Sequence, residues 1–311
     1  MRIGMFIVDT GPEPTPVESL VANARWAEAA GLATGWLPHI PWSLDALTAA
    51  TLAGVQTERL EIATAVVPTY PRHPLALAQQ ALSTQAVCGG RLTLGIGPSH
   101  PVVIEKMFGL AYDAPARHVR SYLEVLDAAF AGTGQVDVDN DDYSVHALLA
   151  VPDSSPIPVL LAALAPLMLR LAGERSAGTI LWMADERAVG EHVLPRLLAA
   201  ADAAGRPVPR VVAGLPAAVC DDADAGRERA AQLFALYGDI PTYRRILDRG
   251  GASGPGEVCV VGDEAAVAAR LRSYRDAGIT DLAATVFPVG DDPAGSRRRT
   301  RELLASLAPE L

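Results

Sequence analysis

A helical run, a glycine pair and an apolar strand follow one another in QAVCGGRLTLGIG, the segment from Gln85 to Gly97. Glycine after a helix adopts the left-handed conformation that ends it. A short run rich in Leu and Ile is typical of a strand that helices cover on both faces. The same succession recurs in four further segments: Ala27–Leu37, Glu174–Met183, Ala203–Leu215 and Arg275–Phe287. This repetition predicts alternating strands and helices and a parallel sheet.

Eight short segments rich in Val, Ile and Leu are predicted to be strands. They are Ile3–Val8, Thr34–Leu37, Glu61–Val67, Arg91–Ile96, Pro158–Ala162, Gly178–Met183, Pro209–Ala217 and Asp281–Phe287. A helical stretch follows each of them, and the first, Pro16 to Ala30, carries an amphipathic apolar stripe. Eight βα units in a chain of 311 residues predict an α/β fold, the closed (β/α)8 TIM barrel.

Two segments interrupt the repeat. Residues 132–156 contain the acidic, turn-rich run DVDNDDYSV, which predicts a surface hairpin. Residues 239–262 predict an extra helix and loop before the last βα unit. Because no internal stretch resembles a Gly/Ser or Pro linker, we expect residues 1–311 to form a single domain.

An open, doubly wound sheet is the competing fold. Its dinucleotide-binding fingerprint GxGxxG would follow the first strand. The only similar run here is Gly95-Ile96-Gly97-Pro98-Ser99-His100, which follows the fourth predicted strand and has His100 in place of the third glycine. This pattern argues against the dinucleotide-binding fold.

Composition and charge exclude several classes of protein. Half of the residues are hydrophobic, and 26 Lys and Arg against 36 Asp and Glu give a net charge of −10. An acidic chain is a poor partner for nucleic acid or an anionic membrane. The longest apolar run, Pro158–Leu169, is shorter than the ~20 residues that span a bilayer. Three widely spaced cysteines and the lack of a signal-peptide pattern predict a cytoplasmic protein.

One basic cluster stands out against this acidic background. It consists of Arg297, Arg298, Arg299 and Arg301 near the end of the chain. We interpret the cluster as the solvated face of a last helix, since a run of like charges on a helix is most often exposed.

Histidines concentrate where a barrel enzyme places its active site, at the carboxyl ends of the strands. His39 follows the second predicted strand and His100 the fourth, and either could transfer a proton near neutral pH. Each could equally be a loop or turn residue. Trp42 could form a wall of the pocket for an aromatic ligand, or it could only pack against its neighbours. His73, at a helix start, is better explained by a structural role.

The fifth predicted strand runs through Ala162, Ala163, Leu164 and Ala165 into a helix that begins near Pro166. Unpaired N–H groups at such a helix start can bind phosphate without a basic side chain. An ordinary βα loop would have the same sequence. No HExxH-like spacing or GxSxG elbow is present, so we expect neither a metal site nor a hydrolase triad.

A longer run carries a family resemblance: TAVVPTYPRHPLALAQQALSTQAVCGGRLTLGIGPSHPVVIEKMFG, from Thr64 to Gly109. It resembles the luciferase-like flavin and deazaflavin oxidoreductases, specifically the branch that uses coenzyme F420. Similarity continues through Pro115–Leu126, Pro158–Met183 and Val261–Leu282, and so covers nearly the whole chain. The resemblance implies a (β/α)8 barrel that holds a deazaflavin in its mouth, and a homodimer.

The resemblance also assigns residues to the cofactor. It implies a cis peptide at Thr64–Ala65 or one residue later, and a phosphate held by backbone groups after the fifth strand. The implied cofactor-binding residues are Thr64, Ala65, Val66, Gly97, Pro98, Ser99, Ala162, Ala163, Leu164 and Ala165. His39 matches a position beside the reactive carbon, and Trp42 matches an aromatic residue near the substrate.

The chain departs from the family pattern at three places. Relatives with Asp-His at the second strand contrast with Pro38-His39 here, so the carboxylate that orients the histidine is missing from the motif. His100 stands where sugar-phosphate dehydrogenases of the family carry a glutamate. The only lysine is Lys106, which argues against a sugar-phosphate substrate.

Together these features predict an F420-dependent oxidoreductase that transfers a hydride between the deazaflavin ring and a small organic substrate. An activated C=C or C=N bond is the expected acceptor, with His39 or His100 handling the proton. The alternatives are an FMN-dependent monooxygenase on the same barrel and a barrel that binds a ligand without catalysis. Substrate specificity is expected from the loops 11–16, 112–116 and 239–256, and dimerisation from the Ala-rich helix Pro74 to Val87.

Overall fold

Parallel strands form a closed barrel in the computed structural model, which describes residues 1–9 and 15–311. The strands are β1 (Arg2–Phe6), β2 (Thr34–Leu37), β3 (Glu61–Thr64), β4 (Val67–Pro68), β5 (Leu92–Gly97), β6 (Gln135–Asp139), β7 (Ser144–Leu148), β8 (Val159–Ala162), β9 (Gly178–Trp182), β10 (Arg210–Val219), β11 (Val260–Gly262) and β12 (Asp281–Val286). Hydrogen bonds join β12, β1, β2, β3, β5, β8, β9 and β10 in that order, and β10 pairs again with β12 to close the barrel. The predicted (β/α)8 fold is therefore confirmed.

Helices follow the strands and cover the outside of the barrel. They are α1 (Val17–Ala29), α2 (Ala46–Val55), α3 (Pro74–Val87), α4 (Pro115–Phe130), α5 (Pro166–Arg175), α6 (Glu186–Ala188), α7 (Leu194–Ala203), α8 (Ala223–Leu233), α9 (Leu236–Asp239), α10 (Pro241–Gly250), α11 (Pro255–Val258), α12 (Glu264–Asp276) and α13 (Pro293–Leu307). Two π-helical segments, Val102–Met107 and Val189–Val193, precede α4 and α7.

Two segments of the chain interrupt the alternation of strands and helices. Strands β6 and β7 pair antiparallel as a hairpin between α4 and β8, with Gln135 opposite Leu148. The short helices α9, α10 and α11 and strand β11 lie between α8 and α12. Strand β11 extends the barrel by pairing with the long end of β10.

The third predicted strand is the one that the structure divides. Strand β3 ends at Thr64, and pairing with β5 resumes only at Val67. The hydroxyl of Thr64 replaces the missing ladder bonds, since it accepts from the Gly95 N–H at 2.9 Å and donates to the Gly95 carbonyl at 2.8 Å. A Cβ on Gly95 would lie 2.0 Å from the Thr64 carbonyl oxygen, so glycine is required for this close approach.

Inward-facing side chains divide the barrel interior into layers, because alternate residues of a strand point to opposite faces. The apolar middle contains Phe6, Trp36, Ala63, Leu160, Ile180, Val212 and Ala283. Below it, at the amino ends of the strands, Arg210 bridges Glu61 and Asp281. The carboxyl ends of the strands form the opposite opening, which we call the mouth.

Candidate active site

One side of the mouth is formed where β3, β5 and β8 end. The peptide bond between Ala65 and Val66 is cis, the second of the two positions that the sequence indicates. A Cβ placed on Gly97 would lie 2.9 Å from the Ala162 Cβ and 3.1 Å from Val66 Cγ2. Three of the sequence-predicted cofactor residues, Val66, Gly97 and Ala162, are therefore brought together by the fold. The Thr64 hydroxyl is used by Gly95, so this side chain holds the strands rather than a ligand.

Helix α5 begins beside this surface. Its N-cap is Ala165, and within the described ranges no side chain caps the first turn. Pro166 has no N–H, so the N–H groups of Leu167 and Met168 remain at the helix start. Small residues precede them and leave the backbone accessible. This end of α5 can therefore hold a phosphate through backbone N–H groups and the helix dipole.

His192 supports the turn that leads into α5. Its Nε2 donates to the Leu164 carbonyl oxygen at 2.8 Å, and its side chain is buried. Burial lowers the pKa of His192, against the opposing effect of its bond to Leu164. The sequence analysis gave this histidine no role, since it lies 28 residues from its partner along the chain.

His39 is half-buried at the end of β2 and lies against the start of α2. The Asp45 carboxylate is 3.7 Å from His39 Nδ1, and the Ala46 N–H donates to the same nitrogen at 3.4 Å. Burial lowers the pKa of His39, although the Asp45 charge opposes this effect. Asp45, the N-cap of α2, therefore places a negative charge beside His39 without accepting a hydrogen bond from it, and is itself held by Arg72 at 2.5 Å. The expectation that the orienting carboxylate of the family motif is missing stays a prediction.

His100 lies in the loop after β5, two strands along the barrel from β2. Its ring contacts Tyr243 edge-on at 5.1 Å between centroids, and burial lowers its pKa. The loop before it turns at Ser99, which has a positive φ of 62° and whose carbonyl accepts from the Tyr112 hydroxyl at 3.1 Å. Trp42, in contrast, is 48% exposed in the loop after β2.

Aromatic side chains from α8, α9 and α10 cover the mouth. Tyr237 contacts Tyr243 at 5.1 Å and Trp182 at 5.5 Å, both as edge-to-face pairs. Phe234 contacts Phe287, at the end of β12, at 5.6 Å. We call these five residues the aromatic cover. Sequence reasoning did not identify this cluster, because its members come from distant parts of the chain.

A cavity of about 430 Å³ opens beneath the aromatic cover on the β12 and β1 side of the mouth. Phe6, Thr285, Phe287, Arg297 and Arg301 are among its lining residues. None of its lining residues belongs to the set predicted to bind the cofactor. The mouth therefore has two neighbouring parts, the small-residue surface of β3, β5 and β8 and this cavity.

The arginine cluster on α13 was interpreted as a solvated face, which is wrong for Arg301. Arg299 pairs with Glu264 and Asp221 as a surface residue would. Arg301 is half-buried, donates to Asn23 Oδ1 at 2.9 Å and lies over the Trp26 ring at 5.2 Å.

Two classes of site were searched for in residues 1–9 and 15–311. No group of three or more His, Cys, Asp or Glu side chains in these ranges could hold a metal ion. No helix in these ranges is long and apolar enough to cross a membrane. The loop 11–16 was expected to contribute to substrate specificity. Its residues 11–14 lie outside the described residues.

The chain belongs to the luciferase-like monooxygenase family, whose model matches residues 1–281. It is 25% identical over 295 residues to the 5,10-methylenetetrahydromethanopterin reductase of Methanolobus tindarius, a match that covers 93% of this chain and 87% of the relative. A putative coenzyme F420-dependent oxidoreductase of Mycobacterium tuberculosis is 28% identical over 187 residues, which cover 56% of this chain and 53% of that protein. The resemblance stated from the sequence is confirmed.

Solved structures share the fold over its full length. The coenzyme F420-dependent tetrahydromethanopterin reductase from Methanopyrus kandleri superimposes with a TM-score of 0.80 at 22% identity, covering 98% of this chain and 97% of that one. The oxygenating constituent of 3,6-diketocamphane monooxygenase from Pseudomonas putida, in complex with FMN, gives 0.78 at 17% identity, covering 100% and 98%. Both deazaflavin and flavin enzymes are thus similar to this chain in fold.

Proposed function

We propose that the chain uses coenzyme F420 to transfer a hydride to or from a small organic substrate. One observation carries the proposal: the start of α5, which no side chain of the described residues caps, follows the Ala-rich segment Ala162 to Ala165 at the mouth. This arrangement fits a cofactor that has a phosphate on its tail. The relatives named as F420-dependent support the choice of cofactor.

The residues present fit such a cofactor in two ways. The N–H groups of Leu167 and Met168 would hold the phosphate, with Leu164 fixed in place by His192. Ala65, Val66 and Gly97 offer a surface of small side chains for a flat ring. When bound, coenzyme F420 supplies the hydride chemistry, and the protein supplies orientation and a pocket without water.

His39 is the residue best placed to handle the accompanying proton. The Ala46 N–H donates to Nδ1, so the proton of the neutral ring lies on Nε2. Because burial lowers the pKa of His39, the neutral ring predominates at pH 7. With its proton on Nε2, neutral His39 can hold the polar atom of an activated C=C or C=N substrate through Nε2–H. His100, in the loop after β5, is the second candidate.

The proposal is tested at Ala165, the N-cap of α5. Asp is a good N-cap, so Ala165→Asp retains the helix but places a negative charge where the phosphate would bind. We expect the Kd for coenzyme F420, measured by quenching of its fluorescence, to rise about tenfold or more, which corresponds to about 1.4 kcal/mol. Ala165→Ser, which caps without charge, is the matched control and should have a smaller effect. Equal affinities for wild type and Ala165→Asp would contradict the proposal.

An FMN-dependent monooxygenase is the second candidate. The FMN-bound relative superimposes almost as well as the F420-dependent one, with TM-scores of 0.78 and 0.80. FMN also carries a phosphate, so the start of α5 suits both cofactors. Oxygen consumption with reduced FMN, together with no binding of coenzyme F420, would favour the monooxygenase.

We also propose that the protein forms a homodimer through α2 and α3. A groove between these helices is lined by Leu47, Leu52, Val55 and Val87, among others. Val55 is 54% exposed and Val87 is 49% exposed, which is unfavourable unless a partner covers them. Sedimentation velocity should give the mass of two chains, and a monomer at all concentrations would contradict this proposal.

A further inference from the structure

The cavity on the β12 and β1 side of the mouth has walls of two kinds. Phe6, Phe234, Tyr237 and Phe287 contribute apolar, aromatic surface. Arg297 and Arg301 from α13 and Arg229 from α8 contribute charged groups. At about 430 Å³, the space has the size of a pocket for a small organic molecule.

The charge of this lining is opposite to that of the whole chain. The protein has a net charge of −10, yet the described residues that line the cavity include three arginines and one carboxylate, Asp9. Asp9 pairs with Arg297 at 3.1 Å. No carboxylate among the described residues forms an ion pair with Arg301, whose polar contacts are Asn23 and the face of Trp26. Burial lowers the pKa of Arg301, so an anion beside it would relieve an unfavourable environment.

Two polar atoms of this cavity lack hydrogen-bond partners within the described residues: Thr285 Oγ1 and Arg301 Nε. Thr285 is 6% exposed, and its strand position directs it to the inside of the barrel, in step with Ala283. Leaving a buried polar atom unpaired costs about 1–3 kcal/mol. Such unpaired atoms are rare in folded proteins, and a ligand that forms the missing hydrogen bonds would explain them.

We propose that this cavity is the substrate subsite and that it takes an organic carboxylate with a flat apolar body. The body packs between Phe6 and Phe287, the carboxylate is bound by Arg301 with Arg297 nearby, and the Thr285 hydroxyl donates to a polar atom of the ligand. This proposal rests on the proposed function only in naming the ligand a substrate. Tyr237 lines the cavity and contacts Tyr243, which contacts His100, so the subsite adjoins the part of the mouth assigned to the cofactor.

Calorimetric titration with 2-naphthoate and its neutral analogue 2-naphthamide tests the subsite, since the two differ only in the charged group. Wild type should bind the carboxylate about tenfold or more tightly than the amide, as expected when a charged hydrogen bond contributes. Arg301→Met should remove this preference. Arg298→Met, on the same helix but outside the cavity lining, should keep it. Equal affinity of the wild type for both probes, or an unchanged preference in Arg301→Met, would overturn the proposal.

A second variant keeps the test decisive if Arg301→Met does not fold. Thr285→Val preserves side-chain shape and removes only the unpaired hydroxyl, so it should fold and bind 2-naphthoate severalfold more weakly than wild type. Undiminished binding would count against the subsite. Titrating coenzyme F420 into the same samples separates the two proposals. A preference for the carboxylate without binding of coenzyme F420 would refute the proposed cofactor and support the subsite. Binding of coenzyme F420 without that preference would support the cofactor and refute the subsite.

Discussion

Arg210 at the amino-terminal end of the barrel donates to Glu61 at 2.8 Å and to Asp281 at 2.6 Å, whereas Thr285 at the mouth has an Oγ1 without a partner among the described residues. Both ends hold buried polar groups on inward-facing strand positions. At the amino end, which we call the floor, Thr93 donates to Glu61 at 2.5 Å and completes a network of ion pairs. The floor therefore closes the barrel, while the mouth keeps hydrogen-bonding capacity for a ligand.

Within one set of strands, the polar groups of the floor therefore stabilise the fold, whereas those of the mouth are available for a ligand. Burial alone would raise the pKa of Glu61, but Arg210, Thr93 and Arg2 hold it below its ordinary value. The floor network thus keeps its charges and uses them for folding. In (β/α)8 enzymes the active site lies at the carboxyl ends of the strands, and the unpaired Thr285 Oγ1 lies at that end.

The largest effect is expected at the floor, from Arg210→Met. Removing the arginine leaves the buried Asp281 and the half-buried Glu61 with Arg2, a half-exposed residue, as their remaining arginine partner, which should lower the free energy of unfolding by about 3 kcal/mol. Urea unfolding monitored by circular dichroism measures this change. Arg298→Met is the exposed control and should change stability by less than about 0.5 kcal/mol. Similar values for the two variants would show that the floor network contributes little.

A pair of threonine variants compares the two ends directly, because their changes in the free energy of unfolding should have opposite signs. Thr93→Val removes a hydroxyl that donates to Glu61 and should destabilise the fold by about 1 kcal/mol or more. Thr285→Val removes a hydroxyl with no partner among the described residues and should stabilise the ligand-free fold by about 1 kcal/mol. Thermal unfolding of both variants gives the signs. Two destabilising results of equal size would remove the distinction between floor and mouth.

A smaller effect is expected at Asp45, the positioning residue for His39. Asp45→Asn keeps the N-cap of α2 but removes the negative charge 3.7 Å from the imidazole. Because that charge raises the pKa of His39, its loss should lower the pKa further. If the neutral form of His39 is the active one, the acid limb of the kcat profile shifts to lower pH, by less than about one unit. A shift to higher pH would contradict this role, and a purely structural role for Asp45 would leave the profile in place.

The sequence predicted the frame of the molecule better than its site. The eight barrel strands were predictable because each is an apolar run, and five of them also follow a glycine that ends a helix, as at Gly89 and Gly90. The division of the third strand was not predictable from that pattern, because Glu61–Val67 is continuous in hydrophobicity. Its break depends on Thr64 and on Gly95 from the neighbouring strand.

Site residues were missed where the partners lie far apart along the chain. Arg301 belongs to a basic run that predicts a solvated face, yet it lies over Trp26 of α1 and bonds Asn23 across 278 residues. Asp45 was missed for a different reason: a carboxylate was looked for directly before His39, whereas the charge beside this histidine comes from the start of the next helix. Local patterns do not contain these contacts.

A crystal structure of the protein with coenzyme F420 tests the central claim most directly. We expect the ring to lie against Ala65, Val66 and Gly97, the phosphate to accept from the N–H groups at the start of α5, and the cavity lined by Thr285 and Arg301 to stay free for substrate. A ring bound inside that cavity, or a phosphate bound by the α13 arginines, would contradict the account.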